Sequence, residues 1–341
     1  MVKTRIAIIG LGMAAAPHAR SLLDLADRVE VAGAFTRSAE RAAAFAAQFP
    51  FPTTQDLRAV IDDPSITAAL VLTPPWTHLD LVRALAAAGK HVLLEKPVEA
   101  TTARAAQLVE ACRRAGVALG IVLQHRFRPA AVALAERIAA GALGRIAAAS
   151  VAIRWWRPQS YYDEPGRGTM ARDGGGVLLT QAIHTLDLFQ SLAGPVAEVA
   201  AFAGTSILHR METEDIAGAA LRFASGAIGT LDATTASYPG FPERIEIVGE
   251  SATALLVGGE LTLFHRDGRR EELGGAQATG GGADPMAFSH EAHRALIADF
   301  LAALDEGRPP RVSGAQALAV HRLIDAVLRS AREGRAVRVE A

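Results

Sequence analysis

The feature that most constrains this chain is a regular alternation over its first 123 residues. Short, almost uninterrupted apolar runs take turns with segments of helical period. "RIAIIG" leads into "AAPHARSLLDLA", "VEVAGAF" into "SAERAAAFAAQF", "AALVLTPP" into "HLDLVRALAAAG" and "HVLLEKP" into "TARAAQLVEACRRAG". "VALGIVL" closes the series. A strand that is apolar on both sides must be covered on both faces. Strand–helix alternation therefore predicts an α/β domain with a mostly parallel, doubly wound sheet. Gly89 and Gly116 stand where two of the helices must stop and turn.

Past residue 124 the rhythm changes. "GRIAAASVAIRWW", "EVAAFAG", "DIAGAALRFA", "AIGTLDATTAS", "RIEIVGE", "TALLVGG" and "LTLFHR" read as strands separated by turn residues. Clustered strands predict an α+β domain with a large mixed, mainly antiparallel sheet. The expected division is 1–123 and 124–341. The helical segments "HEAHRALIADFLAALDEG" and "AQALAVHRLIDAVLRSAREG" are free to pack back on the first domain. "RPQSYYDEPGRG" and "GGAQATGGGADP" read as loops.

Charge narrows the function classes. With 35 basic and 36 acidic residues, a net charge of −1 and no long run of one sign, neither nucleic acid nor an anionic membrane is expected as the main partner. The single cysteine, Cys112, has no internal disulfide partner, which fits a reducing compartment. No apolar run reaches spanning length, and "MVKTRIAIIGLG" enters a strand without the pattern of a signal peptide. A soluble, cytoplasmic protein is the expectation.

"GLGMAA" fits G-x-G-x-x-G/A at Gly10, Leu11, Gly12, Met13, Ala14 and Ala15. It follows a predicted strand and opens a predicted helix, the context that gives the pattern meaning. Gly10 permits the tight turn. Gly12 lets a pyrophosphate approach the backbone, and the helix N–H groups face the anion. At the tip of the second strand an NAD site usually carries a carboxylate for the ribose. Here the tip reads Thr36, Arg37, Ser38 and Arg41, and Glu40 falls on the helix. Guanidinium and hydroxyl groups suit a 2′-phosphate, so NADP is favoured over NAD. A solvated charged turn beside an NAD site is the alternative.

Ligands of open α/β sheets sit beyond the carboxyl ends of the strands. Two such ends carry candidates: Thr73, Pro74, Pro75 and His78 at one, Glu95, Lys96 and Pro97 at the other. Pro97 biases Lys96 toward an extended conformation, so the strand directs its side chain. A lysine beside an oxidised nicotinamide would have a lowered pKa and could manage a proton. Many lysines at element ends are only solvated, and that reading stays open beside the catalytic one.

At these residues the sequence resembles the glucose–fructose oxidoreductase, inositol dehydrogenase and rhizopine-catabolism family, Gfo/Idh/MocA. The matching stretches are "GLGMAA", "TPPWTH", "AGKHVLLEKPVEAT", "HRFRP", "GRGTMARDGGGVLLTQAIHTLDL" and "ASYPGFPERIEI", in family order along nearly the whole chain. The resemblance implies hydride transfer between nicotinamide and a sugar or polyol. It implies that Lys96, commonly followed by a cis proline, is the catalytic or substrate-orienting lysine. Pro74, His78 and Glu95 would line the nicotinamide side. His184 would be the active-site histidine, acting with Lys96 on the substrate hydroxyl. A homodimer or homotetramer through the second-domain sheet is also implied. Non-catalytic dinucleotide sensors on the same fold are the rival class.

One departure matters. Inositol dehydrogenase-like members carry Asp four residues before the histidine, and here that residue is Thr180. A threonine cannot accept a proton as a carboxylate does, so acid–base work shifts to His184, Lys96 or both. Further substrate candidates are Gln181, Arg126, and Arg157 and Tyr162 from "RWWRPQSYYDE", whose side chains suit hydroxyls and sugar faces. Asp187, near His184, is placed either to orient the imidazole or to pair elsewhere. His290 and His293 resemble metal spacing only loosely, and no metal is expected.

Overall fold

The computed structural model describes residues 3–275 and 288–340. Most of the expected loop "GGAQATGGGADP" lies outside the described residues. In chain order, β1 (Thr4–Ile9), α1 (Ala15–Asp24), β2 (Val29–Phe35), α2 (Ala39–Ala46), β3 (Thr53–Thr54), α3 (Arg58–Ile61), β4 (Ala68–Val71), α4 (His78–Ala87), β5 (His91–Glu95), α5 (Thr102–Ala115) and β6 (Leu119–Val122) form the alternating part. The strands pair in parallel in the order β3-β2-β1-β4-β5-β6. The order reverses on either side of β1, which puts the switch point between the ends of β1 and β4. Ile6, Ala7, Ile8, Ile9 and all of Ala68–Val71 are buried, as strands covered on both faces require.

The second series is α6 (Pro129–Ala139), β7 (Ile146–Arg154), α7 (Gln159–Tyr162), α8 (Met170–Asp173), α9 (Ile183–Ala193) and β8 (Val196–Gly204), then β9 (Ile216–Phe223), β10 (Ile228–Thr234), β11 (Arg244–Gly249), β12 (Ala252–Val257), β13 (Glu260–His265) and β14 (Arg270–Gly274). After these come α10 (Glu291–Glu306), α11 (Gly314–Glu333) and β15 (Val337–Arg338). The sheet has the order β14-β13-β12-β11-β7-β10-β9-β8-β15. Only β7 and β10 run parallel. The strands alternate buried and exposed residues: β9 buries Ala217, Leu221 and Phe223 and turns Ile216, Gly218, Ala220 and Arg222 outward. One face therefore makes a core and the other stays open.

Two compact units result. Residues up to Gln124 combine with Ser289–Leu318, and His125–Phe288 with the chain from Ala319 onward. Beside the expected division of 1–123 and 124–341, with the C-terminal helices free to pack back, Gln124 and Ser289–Leu318 fall in the first unit. The reason is packing. In α10, Leu296, Ile297, Phe300 and Leu301 are buried, and that helix lies along α1. His290 bonds Asp24 at 2.8 Å and Arg28 bonds Asp305 at 3.0 Å. Phe300 closes over Gly120, where a Cβ would lie 3.0 Å from its ring. The N–H of Ile121 donates to Val312 O at 2.9 Å.

Candidate active site

In the first unit, the chain leaves β1 at Gly10 with φ 105°. A Cβ there would lie 2.9 Å from the carbonyl carbon and oxygen of Leu72, so only glycine fits. Gly12 is exposed and a Cβ there would meet nothing within 4 Å; the space is open on the side where a phosphate would approach. Leu11 is buried, Met13 is 63% exposed, and Ala14 caps α1 without a side-chain hydrogen bond, so no side chain occupies the helix N-terminus. This open cradle fits a dinucleotide pyrophosphate.

At the end of β2 the hydroxyls turn inward. Thr36 is buried and its Oγ1 accepts from the N–H of Ser38 at 3.3 Å. Ser38 caps α2, accepting from the N–H of Arg41 at 3.2 Å. Arg37 and Arg41 are exposed, and Glu40 lies in the first turn of α2.

Beyond β4, Thr77 donates to Thr73 Oγ1 at 2.7 Å and Pro75 opens a short 3-10 turn. Pro74 is exposed. His78, expected to line the nicotinamide side, is wholly buried. Its Nε2 lies 2.7 Å from Thr73 O and its Nδ1 3.1 Å from Val98 O, so the ring braces the β4 end against the β5 end. Burial pushes its pKa below the usual histidine value, against the two carbonyl contacts and the charges of Glu99 and Glu95.

At the end of β5, the Lys96–Pro97 peptide is cis. Glu95 binds in two directions: Oε1 accepts from His18 Nε2 at 2.8 Å and Oε2 from the main-chain N–H of Lys96 at 3.0 Å. Burial alone would push this carboxyl up. The His18 hydrogen bond, with the charges of His18, Lys96 and His293, more than offsets it and holds Glu95 below the usual carboxylate range. His18 lies on α1 with no exposed surface, and the ring of His293 meets it edge-on at 5.0 Å. Neither histidine was assigned a role from the sequence. His18 sits 77 positions from Glu95, beyond the reach of any local pattern.

In the second unit, the chain approaches His184 through a five-residue π-helical turn, Leu178–Ala182, a form often found at functional sites. Two features hold it. Glu214 accepts from the N–H groups of Gly176 at 3.1 Å and Leu178 at 3.2 Å. Thr180 donates to Gly176 O at 2.8 Å. His184 is buried on the first turn of α9 and stacks on His125, ring centroids 5.1 Å apart and planes 28° from parallel. Thr185 Oγ1 lies 3.3 Å from His125 Nδ1. His125 carries no expected role beyond its place in "HRFRP".

The remaining candidates divide. Asp187 takes the two-pronged Arg126 guanidinium, both contacts 2.6 Å. Burial pushes the Asp187 carboxyl up and Arg126 opposes that. Arg126, expected at the substrate, is thus half of a buried ion pair. Arg157 is 2% exposed, donates to Trp156 O at 2.8 Å and lies 5.6 Å from the Trp155 ring and 5.7 Å from that of Tyr161. Tyr162 is buried with its hydroxyl 2.6 Å from Thr235 Oγ1, and burial raises its pKa to about 12. Gln181 is buried, and its Oε1 has no hydrogen-bond partner among the described residues. No helix among those residues is long and apolar enough to cross a membrane.

Comparison with known proteins gives this geometry a context. Residues 4–122 match the oxidoreductase family with an NAD-binding Rossmann fold, Gfo/Idh/MocA, and residues 131–255 match that family's C-terminal domain. D-apiose dehydrogenase of Paraburkholderia graminis is 28% identical over 98% of this chain and 89% of its own length. Myo-inositol 2-dehydrogenase of Thermotoga maritima is 28% identical over 98% of both chains. The WlbA dehydrogenase of Bordetella pertussis, solved with NADH and UDP-GlcNAcA, superposes with a TM-score of 0.85 at 29% identity, covering 100% of both chains. Glycine turn, strand ends and two-domain match agree, and the chain belongs to the Gfo/Idh/MocA family of nicotinamide-dependent oxidoreductases.

Proposed function

We propose that the protein moves a hydride between nicotinamide C4 and a secondary alcohol carbon of a sugar, sugar acid, nucleotide sugar or polyol. The observation that carries this is similarity along the full chain to dehydrogenases named for such substrates. The dinucleotide, when bound, supplies the hydride acceptor or donor. Gly10, Leu11, Gly12, Met13 and Ala14 would hold its pyrophosphate. Thr73, Pro74, Pro75, Glu95 and Pro97 would shape the nicotinamide end, with His78 bracing them from below.

Lys96 donates a hydrogen bond to the reacting oxygen and stabilises alkoxide character as the hydride leaves. His184 takes the hydroxyl proton in oxidation and returns it in reduction. Thr180 and Gln181, on the π turn, orient the neighbouring hydroxyls. Arg126, Arg157 and Tyr162 remain the further substrate candidates. The test is direct. Lys96→Ala is expected to keep dinucleotide binding and to lower kcat by about 10²–10³. His184→Ala is expected to lose about 10²–10⁴ and to remove one limb of the pH–rate profile. Wild-type turnover in Lys96→Ala rejects the assignment. Dinucleotide binding with no turnover across sugars, sugar acids, inositols and nucleotide sugars favours the sensor class.

Two finer readings accompany it. NADP is preferred over NAD because Arg37 and Arg41 are exposed at a strand tip that lacks a carboxylate. A higher kcat/KM with NADPH than NADH, lost in Arg37→Ala, is the expected result. Assembly as a homodimer or homotetramer is supported by the open sheet face, where Phe202 is 84%, Ile228 61% and Ile216 42% exposed in one chain, and a cytoplasmic location belongs to the same proposal. Light scattering of Phe202→Lys against the wild type reads it.

A further inference from the structure

We propose that His18 is a positioning residue for Lys96: its Nε2–H fixes the Glu95 carboxylate, which in turn fixes the main-chain N–H of Lys96. The inference rests on the reading of Lys96 as the group that bonds the reacting oxygen. It adds a link from the helix that follows the glycine turn to the strand end that carries the lysine.

Three geometric facts carry it. Both Glu95 oxygens are engaged, one by His18 at 2.8 Å and the other by the Lys96 N–H at 3.0 Å, so rotating the carboxylate breaks both bonds together. The His18 ring has no exposed surface, and His293 stands against it at 87° with centroids 5.0 Å apart. Finally, α10, which carries His293, is tied to the end of α1 by its N-cap His290, paired with Asp24, and to the turn after α1 by Asp305, paired with Arg28. The histidine is thus held while the carboxylate reaches the lysine peptide. Shifting such a tip by about 1 Å can cost on the order of 10²-fold in rate.

The charged or titratable groups facing Glu95 are His18 on α1, His293 on α10, His78 at the start of α4, and Lys96 itself. The ligand-type atoms of His18, Glu95 and His293 lie within 4.8 Å of one another, a set that invites a metal ion. His18 and Glu95 instead meet at hydrogen-bonding distance, and Glu95 turns its second oxygen to a peptide N–H. A proton between two fixed groups accounts for that arrangement.

The test compares full-length wild type, His18→Gln, His18→Leu, Glu95→Gln and the double variant His18→Leu/Lys96→Ala with Lys96→Ala alone. Glutamine places an amide N–H near the position of Nε2–H, and leucine removes the donor. Binding of NADH and NADPH is read by fluorescence, folding by thermal unfolding, and kcat and KM on the alcohol that the wild type oxidises fastest. Expected are dinucleotide affinities within about threefold of wild type in His18→Leu and His18→Gln, and a kcat lowered about 10–100-fold in His18→Leu and Glu95→Gln. His18→Gln recovers to within about fivefold. The acid limb of kcat moves to higher pH in His18→Leu, because the buried carboxyl has lost its donor. In the double variant, His18→Leu adds little to the loss from Lys96→Ala.

Wild-type kcat in His18→Leu overturns the proposal. So does a His18→Gln as impaired as His18→Leu, which would mark a packing role, and so do fully additive losses in the cycle. One divalent metal per chain retained by the wild type and lost in His18→Gln also overturns it. Failure of the functional reading shows elsewhere: Lys96→Ala turns over like wild type, whatever His18 variants do.

Discussion

Glu95 in the first unit and Glu214 in the second are both largely buried carboxylates beside a candidate catalytic group, yet they are displaced in opposite directions. Burial pushes each one up. Glu95 ends below the usual range because a histidine ring and nearby positive charge oppose burial. Glu214 stays above it. Its partners are peptide N–H groups, and the neighbouring Asp215 adds like charge. Partner chemistry, rather than depth, sets the charge of a buried acid. The same contrast separates the two units' ways of building a site. The first fixes a strand end with a histidine–carboxylate hydrogen bond, and the second fixes a π turn with a carboxylate cap.

The sharpest way to break the comparison is to remove a partner. Asp187 is another buried acid, held by Arg126. Arg126→Ala leaves it without that charge and is expected to destabilise the protein by about 3–5 kcal/mol, read as a lower urea midpoint. An unchanged midpoint would show that burial there is weaker than the geometry states. Next come the glycines that let the chain approach so closely. A Cβ at Gly176 would lie 1.9 Å from Glu214 O, and one at Gly10 2.9 Å from Leu72. Gly176→Ala and Gly10→Ala are each expected to cost about 1–3 kcal/mol, while Gly12→Ala keeps its stability and loses dinucleotide affinity.

The smallest effect tests the sign itself. A carboxyl lowered in the fold adds stability above its unfolded pKa and loses it as pH falls through the folded value. A raised one loses stability as pH climbs from its unfolded value through the folded one. Relative to wild type, Glu95→Gln should therefore look worse as pH rises from about 3 to 6, and Glu214→Gln should look better across that window. Urea midpoints at both ends read this, and parallel trends in the two variants would remove the contrast.

Much of the fold was legible because period-2 and period-3.6 patterns are local. "RIAIIG" could only be a covered strand, and Gly10 and Pro97 punctuate strand ends in ways a single chain reveals. Pairing is not local. Arg126 and Asp187 are 61 positions apart and Tyr162 and Thr235 are 73, and nothing near either arginine or tyrosine announces those partners. That is why three residues with the right chemistry for a sugar, Arg126, Arg157 and Tyr162, sit in an ion pair, an aromatic stack and a buried hydrogen bond. His78 illustrates the same limit, since both main-chain oxygens it braces were invisible as targets.

The placement of Ser289–Leu318 has a consequence for how the molecule is made. The first unit is completed by a segment that a ribosome delivers only after all of β7–β14. Until then α1 lacks the helix that covers it, and the rim of the parallel sheet at β6 lacks Val312. An amino-terminal fragment ending at Gln124 should therefore aggregate. The same fragment joined by a short linker to 289–318 should fold as an autonomous, dinucleotide-binding piece.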